Sequence, residues 1–423
     1  MSTSNIKLVH LTREIGTSGG GNAAYSYISK IAGLGYNQFL IHQHGDAKNL
    51  EILKSERIQP TFFQKILVSF EKYIFSRYPI RKDTSLLSTG IFSMKQRRIR
   101  KLIREFLGDR SEAYILCHWV NLGFISLGTL LWATKIKNAK LIIHLHDLWI
   151  LQDLAHQPKY TGYGLEPQTP QWSLIGHPNF LQSALQRRSR RLKRELLKNS
   201  IITVSSKELE EFLKISPEYS KLSTTLDIRE LPMPLEYLVR QDLKTPTFEK
   251  RNFLLMIGNH PHDDARKDFI SAINGYISSD IQKKCPLFVV CGISKLSKDQ
   301  IEIYETQNVY FFETLNHKDC LEVMSMCRGV IIPSSFETFG LTIFEAAVTA
   351  PIVGIAIGSI QDTLLENLGL KFTAKNWTES GSWDELFPVV SFEQGFQKYN
   401  FEVLQKREAE VGAVIKKFFE MHG

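Results

Sequence analysis

The sequence predicts two doubly wound α/β domains in tandem, and three observations predict it. Short apolar runs of strand length alternate with longer segments of helical apolar spacing along most of the chain. At 423 residues the chain exceeds what one compact core accommodates. Between residues 231 and 250 the alternation breaks at a stretch with three prolines, which reads as a linker. The expected division is residues 1–240, residues 241–400 and a final helical stretch, 401–423.

The elements follow in order. Residues 7–11 read as a first buried strand, 12–22 as a Gly-rich loop, 23–34 as a helix stopped by Gly35, and 38–42 as a second strand. Further strands are expected at 114–117, 141–145 and 201–204, separated by basic helical segments. The second run begins with a strand at 253–257 and continues with strands at 287–290, 309–312, 330–332 and 352–355. Residues 401–421 carry helical spacing.

The most informative stretch is Gly329 to Ala347. It reads as a strand, a polar loop and a helix, with Glu337 in the loop and Glu345 inside the helix. Ligands of open α/β sheets bind at that strand edge, and a helix N-terminus favours an anion there. A nucleotide-sugar would supply a diphosphate for the helix end and hydroxyls for the two carboxylates. The alternative is an ordinary αβ unit with two solvated glutamates.

Three other constellations stand out. Gly19-Gly20-Gly21-Asn22-Ala23-Ala24 contains G-x-G-x-x-A, but a dinucleotide fingerprint needs a tight turn after the strand, and residues 12–18 are expected to intervene. His144 and His146 share a strand face, with Asp147 next. With His42, His44, His260 and His262 they permit a metal reading, against which no third ligand set has recognisable spacing. Asp264-Ala-Arg266-Lys267-Asp268 follows a strand, and adjacent Arg and Lys suit a leaving diphosphate.

The E-x7-E spacing of Glu337 and Glu345, with Pro333-Ser334 before it and Phe339-Gly340 within it, resembles the signature of retaining, family-four-type glycosyltransferases of the GT-B fold. Residues 264–268 resemble that family's D-x-R-K-G segment, with Asp268 in place of Gly; Asn259 stands where many relatives carry Arg. Cys117-His118-Trp119-Val120-Asn121 and His146-Asp147-Leu148-Trp149 resemble the H-W-x-N and H-D-x-W stretches of polysaccharide glycosyltransferases, the kind that build exopolysaccharide and lipopolysaccharide. The resemblance implies two Rossmann-like domains facing a cleft, with the last helix crossing back to the first. It gives Glu337 and His146 to the donor sugar and Glu345 to the ribose. Gly20, Gly21, Arg266, Lys267, Phe339, Gly340 and Leu341 would line the donor site, and His118 and Asp147 the acceptor side. The implied activity is retaining hexosyl transfer from a nucleotide diphosphate sugar to a saccharide or lipid-linked acceptor. A nucleotide-sugar epimerase or hydrolase, or a non-catalytic membrane-associated nucleotide-sugar-binding protein, is the alternative. No D-x-D is present, so neither a metal nor another cofactor is expected.

Charge and composition bound the partners. The net charge of +8 divides into +14 through Lys244 and −6 beyond it. Aromatics interleave with cations from Phe62 to Lys82, and Arg187, Arg188, Arg190, Arg191, Lys193 and Arg194 form a dense cluster. Solvated helix faces are the common meaning of such runs. A peripheral contact with the anionic inner face of the cytoplasmic membrane is the functional one, whereas no nucleic-acid motif is present. The longest apolar runs, such as residues 123–133, are too short to span a bilayer, and no secretory signal is evident. Five cysteines without zinc spacing fit reduced thiols and a cytoplasmic protein.

Overall fold

The structure, a computed structural model, describes residues 6–16, 19–47, 50, 54–59, 62, 65–66, 69, 96–108, 112–120, 124–146, 148–151, 159–161, 169–171, 180–216, 220, 222, 226–239, 252–258, 267–291, 296–313, 315–386 and 394–421. The chain forms two compact units: Met1–Pro158 with Gln171–Glu236 and Glu408–Gly423, and Lys159–Pro170 with Tyr237–Arg407.

In the first unit β1 (Lys7–Ile15) leads into α1 (Gly19–Gly33), followed by β2 (Asn37–Gly45) and β3 (Lys54–Arg57). Next come α2 (Arg97–Leu107), β4 (Ala113–Cys117), α3 (Leu127–Ala133) and β5 (Ala139–His144). A two-stranded sheet follows in the chain, β6 (Lys159–Thr161) with β7 (Thr169–Gln171), all but Gln171 of it grouped with the second unit. The first unit then resumes with α4 (Phe180–Lys198), β8 (Ile201–Val204), α5 (Lys207–Lys214) and β9 (Asp227–Glu230). The main sheet is parallel, in the order β3-β2-β1-β4-β5-β8-β9. Leu8, Val9, Leu11, Ile115, Leu116, Ile142 and Ile143 are fully buried, as expected for strands covered on both faces.

The second unit follows a short helix, α6 (Glu236–Val239). Its elements are β10 (Leu254–Ile257), α7 (Phe269–Ile277), β11 (Leu287–Val290), α8 (Lys298–Thr306), β12 (Val309–Phe312), α9 (His317–Met326) and β13 (Gly329–Ile332). Then come α10 (Leu341–Thr349), β14 (Val353–Ala356), α11 (Ile360–Asn367), β15 (Thr373–Lys375) and α12 (Ser380–Asp384). The sheet is parallel in the order β12-β11-β10-β13-β14-β15. Its core includes Leu254, Met256, Phe269, Ile331, Trp377 and Trp383. Both buried indoles are satisfied: Trp377 Nε1 donates to Ile355 O at 2.7 Å and Trp383 Nε1 to Trp377 O at 2.8 Å. A Cβ on Gly354 would come within 2.5 Å of Trp377 Cζ2, so only glycine lets that ring lie on β14. The last helix, α13 (Gln394–Glu420), starts in the second unit, and from Glu408 it belongs to the first. There Phe419 packs on Tyr36 and Tyr114, with ring centroids 5.5 and 5.2 Å apart.

Two expectations change. The first strand does not stop at Leu11: pairing with β2 continues to Ile15 opposite Gly45, and α1 starts at Gly19. Gly19, Gly20 and Gly21 therefore lie in the first helical turn and not in the expected loop. The loop-length objection to a dinucleotide turn goes with it. Strands β3, β9 and β15 were also not expected. Their sequences, KSER, DIRE and TAK, are polar, and each strand lies at a sheet edge, where few apolar side chains are needed.

Candidate functional site

In the second unit the strand order reverses between β10 and β13, which is where open α/β sheets hold ligands. The segments leaving these two strands meet. Lys267, before α7, forms an ion pair with Glu337, which follows β13. Both side chains are about one-fifth exposed (22% and 19%), so the pair is reachable yet shielded. The Glu337 backbone is held on both sides by one amide. Its N–H donates to Gln361 Oε1 at 3.3 Å, and its carbonyl accepts from Gln361 Nε2. Gln361 is buried in the first turn of α11, behind the N-cap Ser359, whose hydroxyl accepts from Asp362 N–H.

Gly340 caps the N-terminus of α10 with φ 76°, the left-handed region that glycine enters without strain. A Cβ there would also meet Ile343 Cδ1 at 2.8 Å. The turn starts α10 just past Glu337, so the helix's positive end lies near that carboxylate in the chain. Phe339 is buried, stacked on Phe344 at 4.6 Å with Arg407 over its ring, so any donor contact of this residue would come from its backbone. Leu341 and Gly340 are partly exposed.

Glu345 is buried one turn into α10, with its side chain 8% exposed. Its Oε1 accepts from Tyr237 Oη at 2.9 Å and lies 2.9 Å from His317 Nε2. The hydrogen bond to Glu345 raises the pKa of His317 above its ordinary value. Lys267 and the helix end thus offer positive potential, and Glu337 and Glu345 offer hydroxyl acceptors nearby. That set suits an anionic, polyhydroxylated ligand.

The first unit gathers histidines where β1, β4 and β5 lie side by side. His10 Nδ1 is 3.1 Å from His118 Nε2, and His118 Nδ1 is 3.3 Å from His146 Nε2. His144 packs edge-on against His146 at 4.6 Å and against Tyr27 at 4.4 Å, and its Nδ1 is 2.9 Å from Thr203 Oγ1. His10, His118 and His144 are fully buried, whereas His146 is partly exposed at the strand edge. Burial pushes His10 and His146 down to about 3. It also drives His118 and His144 well down, with neighbouring histidines adding to the effect. The cluster is therefore uncharged at neutral pH. Among the described residues no group of three or more His, Cys, Asp or Glu side chains is arranged to hold a metal ion.

The structure thus brings Lys267 to Glu337 and His118 to His146. Gly21 is buried and Gly20 is helical. Arg266, Asp147, Asn259, His260 and His262 lie outside the described residues. Four contributors escaped the sequence reading: Gln361, Tyr237, His317 and His10. For His10 a signal existed, a polar residue inside an otherwise apolar strand; for the others none did.

Asp268 adopts φ 50°, a left-handed conformation that glycine takes without strain and that Asp tolerates. In the basic cluster Arg187, Arg188 and Arg191 are exposed. Lys193 is not part of that surface: it is buried and donates to Trp149 O at 2.6 Å. Phe62 is 79% exposed, but most of residues 62–82 lie outside the described set. No helix among the described residues is long and apolar enough to cross a membrane, and all five cysteines are free thiols.

Two parallel Rossmann-like sheets, of seven and six strands, define the GT-B fold. Residues 240–386, most of the second unit, match the family model described as glycosyl transferases group 1. Solved structures similar over nearly the whole chain include sucrose-phosphate synthase from Thermosynechococcus elongatus (TM-score 0.61, 11% identity, 98% of each chain). WaaG, a glycosyltransferase involved in lipopolysaccharide biosynthesis, aligns with TM-score 0.54 and 14% identity over 98% of this chain and 99% of its own. HepE from Anabaena, solved with UDP, aligns with TM-score 0.54 and 13% identity over 98% and 99%. No curated protein shows significant sequence similarity.

Proposed function

We propose that the protein is a retaining glycosyltransferase that moves a hexosyl group from a nucleotide diphosphate sugar to a saccharide or lipid-linked saccharide, in assembly of a surface polysaccharide at the cytoplasmic side of the membrane. The observation that carries this reading is the Lys267–Glu337 pair at the second sheet's switch point, beside the positive end of α10 and eight residues before the buried Glu345. HepE, solved with UDP and with UDP and glucose, is a neighbour in fold whose ligands fit this chemistry.

In this reading Glu345 accepts from the ribose hydroxyls, and Tyr237 and His317 keep its carboxylate aimed. Lys267 leaves Glu337 for the diphosphate and neutralises the charge that grows as the bond from the anomeric carbon to the phosphate oxygen breaks. Arg266 stands next to it in sequence and joins it. Glu337, its backbone clamped by Gln361, takes hydroxyls of the donor hexose. The acceptor hydroxyl attacks the same face that the diphosphate leaves and passes its proton to a departing phosphate oxygen, which gives retention. His146 lines the hexose and Asp147 the acceptor side; His118, expected on the acceptor side, is instead fully buried with both ring nitrogens against His10 and His146, so it acts from behind His146.

The test is a panel of nucleotide sugars followed by thermal shift, then nucleotide release with and without saccharide acceptors, in buffer and in chelator. Expected are binding of one donor class, acceptor-dependent release, an axial or equatorial product matching the donor, and turnover that survives chelation. Release without acceptor would move the assignment to a hydrolase or epimerase. Binding without release would leave a nucleotide-sugar-binding protein.

A further inference from the structure

The histidines of the first unit form a directed chain. His10 Nδ1 faces His118 Nε2, and His118 Nδ1 faces His146 Nε2, so each contact joins the δ nitrogen of one ring to the ε nitrogen of the next. The three rings come from three neighbouring parts of one sheet: β1, the residue after β4, and the residue two past β5. The ring planes agree with the line: His10 and His118 are 12° from parallel with centroids 5.4 Å apart, and His118 and His146 30° with centroids 5.5 Å apart, as rings joined end to end through in-plane nitrogens are. The rings facing the chain from the side are His144 and Tyr27. Burial keeps His10 and His118 neutral.

A neutral imidazole carries one N–H, so each ring of the chain donates at one nitrogen and accepts at the other. If His118 carries its proton on Nε2 it donates to His10 Nδ1, and His10 must hold its own proton on Nε2. His118 Nδ1 then accepts, and His146 must donate from Nε2. If His118 carries its proton on Nδ1, every assignment reverses together. The three rings therefore share one tautomer. The chain ends at His10 inside the core, where the buried Gln38 amide is its hydrogen-bonding neighbour.

We propose that His10 and His118 are positioning residues that fix the tautomer and ring plane of His146, and hence whether its Nδ1 presents a proton or a lone pair to the bound sugar. The step from His146 to the sugar rests on the glycosyltransferase reading; the shared tautomer does not. A residue buried in the first strand and two hydrogen bonds from His146 then controls a polar contact at the sheet edge. A wrongly held His146 would slow transfer without weakening the nucleotide site, which lies in the other unit.

Two measurements test this. Long-range proton–nitrogen correlation spectra of the full-length, histidine-labelled protein at pH 7.5 report the tautomer of each ring. One common tautomer for His10, His118 and His146 is expected; a mixed set, or a charged ring in the chain, overturns the proposal whatever the enzyme does. Kinetics with the identified donor compare His10→Leu with His10→Asn, whose amide can place either its oxygen or its nitrogen where His Nδ1 lies. His10→Leu should lose kcat by on the order of tenfold to a hundredfold with donor KM within about twofold, and should shift the His146 nitrogen signals. His10→Asn should recover most of the rate. Equal rates in all three proteins, or a Leu variant that changes KM alone, would reduce His10 to a packing residue. If no nucleotide sugar turns over in the wild type, the functional assignment fails, and the spectra still decide the shared tautomer.

Discussion

Acidification from pH 7.5 to 5 should loosen the first unit's sheet, and the histidine cluster sets the size of the effect. His10 and His146 titrate near 3 in the folded protein because burial disfavours their charged forms. In the unfolded chain a histidine titrates near about 6.5. Their folded values are lowered, so below pH 6.5 the unfolded state binds protons that the folded state cannot, and stability falls with pH. Integrating that difference gives about 2 kcal/mol at pH 5 for the fully buried His10; the partly exposed His146 adds less. His118 and His144 act in the same direction. The total is a large part of the 5–15 kcal/mol that holds a typical domain folded. His317 acts the opposite way: its raised pKa adds stability at low pH that is lost as pH rises through its folded value. It belongs to the second unit, which serves as the internal control. The assay is hydrogen exchange by mass spectrometry on peptides covering β1, β4 and β5, corrected for intrinsic exchange rates. Opening free energies there should fall steeply between pH 6.5 and 5, while peptides of β10 and β13 change little. Unchanged protection of β1, β4 and β5 down to pH 5 would show that these imidazoles accept protons in place, and would refute the neutral cluster.

The other predictions concern the second unit and the basic surface. Glu345→Gln should weaken binding of a nucleoside diphosphate by about 1.5–3 kcal/mol in calorimetry, since it removes a charged acceptor, and should return His317 to an ordinary pKa by NMR; unchanged affinity would remove Glu345 from the ribose. Asp268→Ala should destabilise the second unit by about 1–2 kcal/mol, whereas Asp268→Gly should cost little or stabilise, as read by urea titration; equal costs would mean that φ is not the constraint there. Reversing the exposed Arg187, Arg188 and Arg191 to Glu should reduce salt-sensitive cosedimentation with anionic vesicles and leave nucleotide affinity intact. Wild-type binding that does not distinguish anionic from neutral vesicles would remove the membrane from the picture.

Much of this protein was decided by the sequence itself. Strands buried on both faces must be nearly continuous apolar runs, so β8 and β11 could be bounded to the residue from composition; β12 could be too, as an apolar run that stands at a sheet edge with Phe312 exposed. The Glu337-to-Glu345 spacing likewise announced itself, because a loop and one helical turn are local geometry. What local pattern could not show is anything held by a partner distant in sequence. Arg13 and Glu14 look like loop residues, yet pairing with β2 draws them into β1. Three polar edge strands became strands only because a neighbour offered its free hydrogen-bonding edge. Lys267 and Glu337 are seventy residues apart and meet only because β10 and β13 are neighbours at the point where strand order reverses. Gln361 grips the Glu337 backbone across a connection that no periodicity records. His10 reads as one polar residue in an apolar strand, and only the adjacency of β1, β4 and β5 turns it into the end of a three-ring chain. Side-chain type and near-neighbour spacing are written along the chain, whereas strand order is a property of the packed sheet, and the sheet decides which of those side chains touch.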